Sequence, residues 1–239
     1  ESLEKGDVIA EDPMQKSPVK HRDYIAFLKD LQSDYYREMR GELEKLGLKV
    51  PLAGTNIIYD IAELDTHTVM DYTSQNEYFD HAKFANSKMT VMMQNQPLVK
   101  VNPLSGKDMI EPGIAAVKLS SMPVTSTESD AMWPHEWRAA YLPSLASSSA
   151  LQDWDAIMQF AYMGWYTWDD AEKTRKIMSP TTEFNDPAIF GTFPAAALIY
   201  HRRDIAASKN KVEILYNEDE RMEFSEGTRS EERRVGKEC

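Results

Sequence analysis

The sequence predicts an α/β protein whose strands form a parallel sheet. Apolar residues make up 42% of the 239 residues, which is enough to build a sizeable core and excludes a disordered chain. Along the chain, short apolar runs alternate with stretches of helical periodicity. Strands separated by helices imply a parallel sheet with helical crossovers, so we expect this architecture through most of the chain.

The first half of this pattern begins with a long helix over residues 22–47. Its apolar residues recur every three or four positions, and Gly47 is a suitable residue to end it. The apolar run at 48–56 predicts a buried strand that ends in a loop, and a second strand is predicted within 66–74. Residues 75–109 are rich in Asn, Gln, Met and Lys, and an irregular stretch of this length predicts a functional loop or lid.

The second half continues the same alternation. The predicted helices cover 110–120, 136–151, 169–178 and 193–205, and the predicted strands cover 123–128, 154–162 and 212–216. On the inner side of the helix over 136–151 we expect Trp137, Tyr141, Leu145 and Leu151. Trp154 is expected in the core, and the strand over 212–216 is expected to open a separate β-rich domain.

Charge and cysteine content exclude several classes of function. The chain has 27 Lys and Arg against 39 Asp and Glu, and its net charge of −12 argues against nucleic acid or an anionic membrane surface as the main partner. No apolar run approaches the length of a membrane span. The one cysteine, Cys239, excludes an internal disulfide or a cysteine-based zinc site. The pair Asp80–His81 lacks a second histidine at ligand spacing, so we expect no metal and no cofactor.

The two ends of the chain differ from the rest. Residues 229–239 have no apolar period and resemble a translated sequencing adapter, the alternative being a solvated charged tail. The chain begins with Glu1 and enters a polar stretch. We therefore expect a non-native tail at 229–239 and a chain that is an internal fragment of a longer reading frame.

Glu128 is the residue that suggests chemistry. It follows the predicted strand over 123–128, and the carboxyl ends of parallel strands form the active-site face of α/β barrels. A carboxylate there, close to aromatic residues, suits oxocarbenium chemistry, because it can attack an anomeric carbon and later be displaced by water. From this position alone, a solvated loop glutamate is the alternative.

Three segments of the sequence together favour the catalytic interpretation of Glu128. The sequence reads Pro-Val-Thr-Ser-Thr-Glu at 123–128, Trp-Pro-His-Glu-Trp-Arg-Ala-Ala-Tyr at 133–141, and Leu-Gln-Asp-Trp-Asp at 151–155. This resembles the end of the (β/α)8 barrel of retaining glycoside hydrolases, in the clan that includes family five cellulases and family forty-two β-galactosidases. His135 departs from that pattern, where asparagine is usual. The resemblance covers about residues 22–204.

The resemblance implies a fold and a domain division. It makes residues 1–205 the second half of a TIM barrel, with strands five to eight, and residues 206–228 the start of a β-rich C-terminal domain. Retaining enzymes need two carboxyl groups about 5–5.5 Å apart. In the clan the acid/base is a glutamate that follows asparagine on strand four, which this resemblance places upstream of Glu1. We therefore expect the fragment alone to be poorly stable and inactive.

The resemblance also implies roles for individual residues. Glu128 is the expected nucleophile, and Tyr78 is the expected donor to it, with an ordinary half-buried aromatic as the alternative. Asn76, which stands where the clan has histidine, is a candidate substrate-binding residue. Asn56, at the end of strand five, is a candidate donor to a sugar hydroxyl, although loop capping also fits it. Aromatic rings stack on sugars, and the candidate platforms are Trp133, Tyr162 and Trp165.

The predicted function is therefore that of a fragment of a retaining glycoside hydrolase, which cleaves β-glycosidic bonds of an oligo- or polysaccharide without a cofactor. Two alternatives remain open at this point: a non-catalytic carbohydrate-binding barrel, and an unrelated α/β interaction domain in which Glu128 is structural. The glycan and the oligomeric state stay open. So does localisation, with an extracellular or periplasmic enzyme as the working expectation.

Overall fold

The structure is a computed structural model, and it describes residues 3–5, 18–79, 110–135, 137–163 and 181–222. Within these ranges the α-helices are α1 (Pro18–Lys45), α2 (Ile61–Thr66), α3 (Ile110–Ala115), α4 (Arg138–Gln152), α5 (Pro187–Phe190), α6 (Phe193–Arg202) and α7 (Glu218–Arg221). The strands are β1 (Thr73–Tyr78), β2 (Val124–Asp130) and β3 (Ala156–Gln159). Short 3-10 helices cover Leu3–Lys5 and His67–Val69.

The three strands form one parallel sheet in the order β1-β2-β3. Helices α3 and α4 lie between successive strands in the sequence, which confirms the predicted mixed α/β class with a parallel sheet. A single parallel bridge joins Ala53 to Tyr72, the residue that precedes β1. The strand predicted over 48–56 is therefore reduced to one bridge.

A β-bulge interrupts β2. Against β1, the register runs from Ser74–Thr125 to Asn76–Glu128, so β2 advances three residues while β1 advances two. Against β3 the same extra residue appears between the pairs Ser126–Ile157 and Ser129–Gln159. A bulge of this kind re-aims the side chains that follow it.

The hydrophobic core lies between the sheet and the helices. Helix α3 packs against β1 and β2, and α4 packs against α6. The core includes Val124 from β2, Leu145 from α4 and Trp154, all nearly inaccessible to solvent. Tyr141 is buried as expected, but the prediction for Leu151 is wrong, because its side chain is 47% exposed near the end of α4.

Several predicted boundaries differ from the structure. The helices over 22–47, 136–151 and 193–205 are confirmed as α1, α4 and α6, and Gly47 has a φ of 87° just beyond α1. The strand predicted within 66–74 is displaced to β1, because residues 67–69 form a 3-10 helix. Residues 212–216 are not a strand, since they form no ladder, and α7 follows them. The helix predicted over 169–178 and residues 80–109 of the predicted loop lie outside the described residues.

A packed polar contact joins α1 to the segment that leads into β1. The Tyr36 hydroxyl accepts hydrogen bonds from the Thr55 backbone N–H and from Gln32 Nε2, both at 2.9 Å. The Tyr36 ring lies edge-on to the fully buried His67 ring, with centroids 5.5 Å apart. Gly54 runs past both rings, so the close approach of its backbone depends on the missing side chain.

Replacement of Gly54 tests this packing. In Gly54→Ala the new Cβ would lie 2.7 Å from His67 Cε1 and 2.7 Å from Tyr36 Cζ, and the hydrogen bonds of Tyr36 oppose its displacement. We expect the free energy of unfolding to fall by about 1–3 kcal/mol, measured by urea denaturation. The matched control is Gly41→Ala inside α1, where a Cβ meets nothing within 4 Å. That change should stabilise by about 0.5–1 kcal/mol. Equal effects of the two changes would contradict the packing.

Candidate functional site

The candidate site lies at the carboxyl ends of β1 and β2. The Tyr78 hydroxyl donates a hydrogen bond to Oε2 of Glu128 across these strands. Burial raises the pKa of Tyr78 above its ordinary value, and the hydrogen bond to Glu128 raises it further. Tyr78 therefore keeps its proton at neutral pH, and its contact engages Oε2 of Glu128.

Asn76 lies beside Glu128 because the two residues are register partners in the parallel ladder. Its side-chain Oδ1 accepts a hydrogen bond of 2.8 Å from the Thr127 hydroxyl. Its backbone N–H donates to the backbone oxygen of Asn56 at 2.6 Å, and the Asn56 side chain is exposed. The structure thus brings Glu128, Tyr78, Asn76 and the main chain of Asn56 together.

An open cavity of about 340 Å³ reaches Asn56 and Thr127, but Glu128, Tyr78 and Asn76 are not among its lining residues. Its lining includes Asn56 and Tyr72 together with the hydroxyl-bearing residues Ser74 and Thr127. The described residues of this lining carry no charged side chain, which suits a neutral polar ligand better than an ionic one.

The aromatic residues predicted to stack on sugars differ in the accessibility of their rings. Trp133 is 39% exposed just after β2, so its ring is accessible. Tyr162 is 43% exposed, but its ring already contacts Phe184 and Phe190, with centroids 5.8 and 5.7 Å away. Trp165 lies outside the described residues. Trp154 is fully buried, as expected for a core residue.

His135, which departs from the clan pattern, is a buried structural residue. Its Nδ1 accepts a hydrogen bond of 3.1 Å from the Trp137 backbone N–H, and its ring lies edge-on to Phe79 with centroids 4.7 Å apart. These contacts fix the turn between β2 and α4.

Three buried carboxyl groups near the same end of the sheet were missed by the sequence reasoning. Asp186 pairs with Arg138 at 2.5 and 3.3 Å and caps α5 through the Ala188 N–H. Burial raises the pKa of Asp130 well above its usual range, against the effect of a 2.8 Å hydrogen bond from Gln159 Nε2. Burial and, to a smaller extent, the charge of Asp186 raise the pKa of Glu183 to about 7.

Only part of this cluster has a signal in the sequence. The Asp-Pro step at 186–187 is a helix-start pattern, and it correctly indicates the cap of α5. The contacts of Asp130 with Gln159 and of Asp186 with Arg138 join residues 29 and 48 positions apart, and nothing local marks them as partners.

Among the described residues, no group of three or more His, Cys, Asp or Glu side chains is arranged to hold a metal ion. Asp80 and His81 fall outside those residues. None of the described helices is both long and apolar enough to cross a membrane.

The proton on Glu183 makes stability depend on pH. Its folded-state pKa of about 7 lies above the ordinary 4.5, so its contribution to stability is complete below 4.5 and is lost as the pH rises through 7. In Glu183→Gln this loss of about 2–3 kcal/mol should disappear. The free energy of unfolding of the variant, measured by urea denaturation, should therefore rise relative to that of the wild type between pH 5 and 8. The control is Glu213→Gln, at an exposed position. Its free energy of unfolding should differ from that of the wild type by the same amount at every pH. A constant difference for Glu183→Gln as well would contradict the buried proton.

Comparisons with known proteins add no identification. When the chain is compared with protein-family models, curated proteins and solved structures, nothing matches it. The functional assignment therefore rests on the residues themselves, above all on the geometry of Glu128, Tyr78 and Asn76 at the carboxyl ends of two neighbouring parallel strands.

Proposed function

We propose that this chain is the part of a retaining glycoside hydrolase that carries the catalytic nucleophile. The full-length enzyme cleaves β-glycosidic bonds of an oligo- or polysaccharide by double displacement, with Glu128 as nucleophile. The observation that carries the proposal is the hydrogen bond from the Tyr78 hydroxyl to Glu128 Oε2. It holds one oxygen of the carboxylate and leaves the other directed for attack.

The position of the pair supports the same proposal. Both residues lie at the carboxyl ends of parallel strands, where barrel enzymes place their catalytic groups. Asn56, Asn76 and the hydroxyl-lined cavity beside them offer neutral donors and acceptors that suit sugar hydroxyls. Trp133 adds an accessible ring for the apolar face of a sugar.

The arrangement of elements supports strands five to eight of a (β/α)8 barrel as the fold. The Ala53 bridge and strands β1, β2 and β3 are four parallel segments in chain order, and helices pack on the sheet. Helix α1 also presents an exposed apolar stripe spaced by four residues, made of Phe27, Leu31, Tyr35 and Met39. An apolar stripe of this kind is expected where a neighbouring element of the barrel packs against the helix.

The reaction follows from the two oxygens of Glu128. In the first step Oε1 bonds to the anomeric carbon while the bond to the leaving oxygen breaks, and that oxygen takes a proton from a general acid. In the second step water attacks the anomeric carbon, its proton passes to the same group, now a base, and Glu128 is released. The acid/base belongs to strand four in this proposal, upstream of Glu1.

Covalent labelling tests Glu128 directly. The full-length protein is incubated with 2-deoxy-2-fluoro-β-glycosyl fluorides of gluco, galacto and manno configuration, because fluoride leaves without a proton and the 2-fluoro group slows the second step. We expect one sugar per chain, mapped by peptide mass spectrometry to Glu128, and no adduct in Glu128→Gln.

The matched control for labelling is Asp155→Asn. Asp155 is a carboxylate at the amino end of the same sheet, where it accepts a hydrogen bond from the Val124 N–H, and its replacement should leave labelling intact. An adduct on another residue, or no adduct with any of the three sugars, would overturn the assignment. Sugar binding without an adduct would favour the non-catalytic carbohydrate-binding barrel.

Removal of the Tyr78 hydroxyl tests the positioning of the nucleophile. A hydrogen bond to a charged group contributes about 1.5–3 kcal/mol, so Tyr78→Phe should lower kcat/KM for 4-nitrophenyl β-glycosides by about 10- to 100-fold. Tyr59→Phe, at an exposed tyrosine, should leave kcat/KM unchanged. If Tyr78→Phe retains wild-type kcat/KM, the hydrogen bond has no part in the reaction.

A further inference from the structure

Three polar side chains form a hydrogen-bonded chain beside Glu128. The Ser74 hydroxyl lies 2.7 Å from the Thr127 hydroxyl, and the Thr127 hydroxyl donates to Asn76 Oδ1 at 2.8 Å. Ser74 and Asn76 are two residues apart on β1, so they share one face of the sheet. The bulge in β2 turns Thr127 toward that face, where it bridges them.

The direction of the protons in this chain is determined. A threonine hydroxyl has one proton, and Thr127 gives its proton to Asn76. The contact between Ser74 and Thr127 must then use the Ser74 proton, so Ser74 donates to Thr127 and Thr127 donates to Asn76. The relay fixes the Asn76 amide with its oxygen toward Thr127, and its NH2 group consequently points away from Thr127.

The NH2 group is available to a ligand. Among the residues that the structure describes, Asn76 Nδ2 has no hydrogen-bond acceptor. Asn76 is also the register partner of Glu128, so its amide lies beside the carboxylate that faces the anomeric carbon in the proposed reaction.

The geometry points to Ser74 and Thr127 as positioning residues that orient the Asn76 amide, so that its NH2 group donates to the hydroxyl on the carbon next to the anomeric centre. This inference rests on the proposed function and names the sugar group that the site selects. Two other acceptors are bonded to the anomeric carbon. The leaving oxygen lies on the face opposite the nucleophile Glu128, and the ring oxygen becomes electron-poor in the oxocarbenium-like transition state, where a donor would not stabilise it. The neighbouring hydroxyl oxygen keeps its acceptor capacity throughout the reaction.

A pair of substrates measures this contact separately from folding. The full-length protein is assayed with the 4-nitrophenyl β-glycoside that it hydrolyses best, of gluco or galacto configuration, and with the 2-deoxy form of the same sugar. The kcat/KM for the substrate with a 2-hydroxyl, divided by the kcat/KM for its 2-deoxy form, reports the interaction with the 2-hydroxyl. General damage to the fold affects both substrates alike and leaves this ratio unchanged. We expect Thr127→Val to lower this ratio by about tenfold, since the amide loses its fixed orientation.

Two variants complete the experiment. Thr127→Ser keeps the hydroxyl and should restore the ratio to within about twofold of the wild type, whereas Asn76→Ala should lower it at least as far as Thr127→Val does. A wild-type ratio in Thr127→Val or in Asn76→Ala overturns this inference alone, since hydrolysis and labelling of Glu128 would be intact. A wild-type protein that neither hydrolyses the glycosides nor labels at Glu128 overturns the proposed function, and this inference with it.

Discussion

The candidate site depends on the β-bulge in β2. In a regular strand, consecutive side chains point to opposite faces of the sheet, so Thr127 and Glu128 could not both act on one face. The extra residue, present in the register against both β1 and β3, removes this restriction. Thr127 thereby contacts Ser74 and Asn76 while Glu128 contacts Tyr78. A single backbone irregularity therefore supports both Glu128, the proposed nucleophile, and the Asn76 amide beside it.

The parallel ladder determines which side chains can reach Glu128. Asn76 is its direct register partner, and Tyr78 lies two residues further along β1, about 6.6 Å away along the strand. Only a long side chain covers that diagonal distance, so a serine or threonine at position 78 would not reach the carboxylate. The backbone of β1 is anchored in turn by the hydrogen bond from Asn76 N–H to Asn56 O. Register, rather than a mobile loop, therefore sets the geometry of this group.

Some of this structure could be predicted from the sequence, and some could not. Helical periodicity located α1, α4 and α6, because amphipathic spacing is a local property, and the alternation of elements predicted a parallel sheet. The strand over 48–56 was wrong, since one bridge at Ala53 depends on pairing that the local sequence does not encode. The segment over 212–216 has strand-like residues, Val212 to Tyr216, but it finds no partner strand in the described chain.

The same distinction applies to the site. The resemblance to barrel glycosidases predicted a contact between Tyr78 and Glu128, and a hydrogen bond joins them in the structure. The roles of Ser74 and Thr127 could not be predicted, because alternation places Thr127 on the face opposite Glu128 unless the bulge is known. The buried partners of Asp130 and Asp186 lie tens of residues away, so they depend on the tertiary fold alone.

The carboxyl end of the sheet also concentrates negative charge, and the structure deals with each carboxyl group differently. Arg138 neutralises Asp186, whereas burial favours the protonated forms of Asp130 and Glu183 by raising the pKa of each. Within the described parts of the chain, Glu128 contacts the neutral Tyr78 hydroxyl and no cationic side chain. In the proposed reaction a cation bound to Glu128 would weaken it as a nucleophile, while ionised neighbours would repel the electron-rich leaving oxygen of a substrate. The raised pKa values of Asp130 and Glu183 and the pairing of Asp186 therefore lower the negative charge at this end of the sheet, which suits the reaction proposed for Glu128.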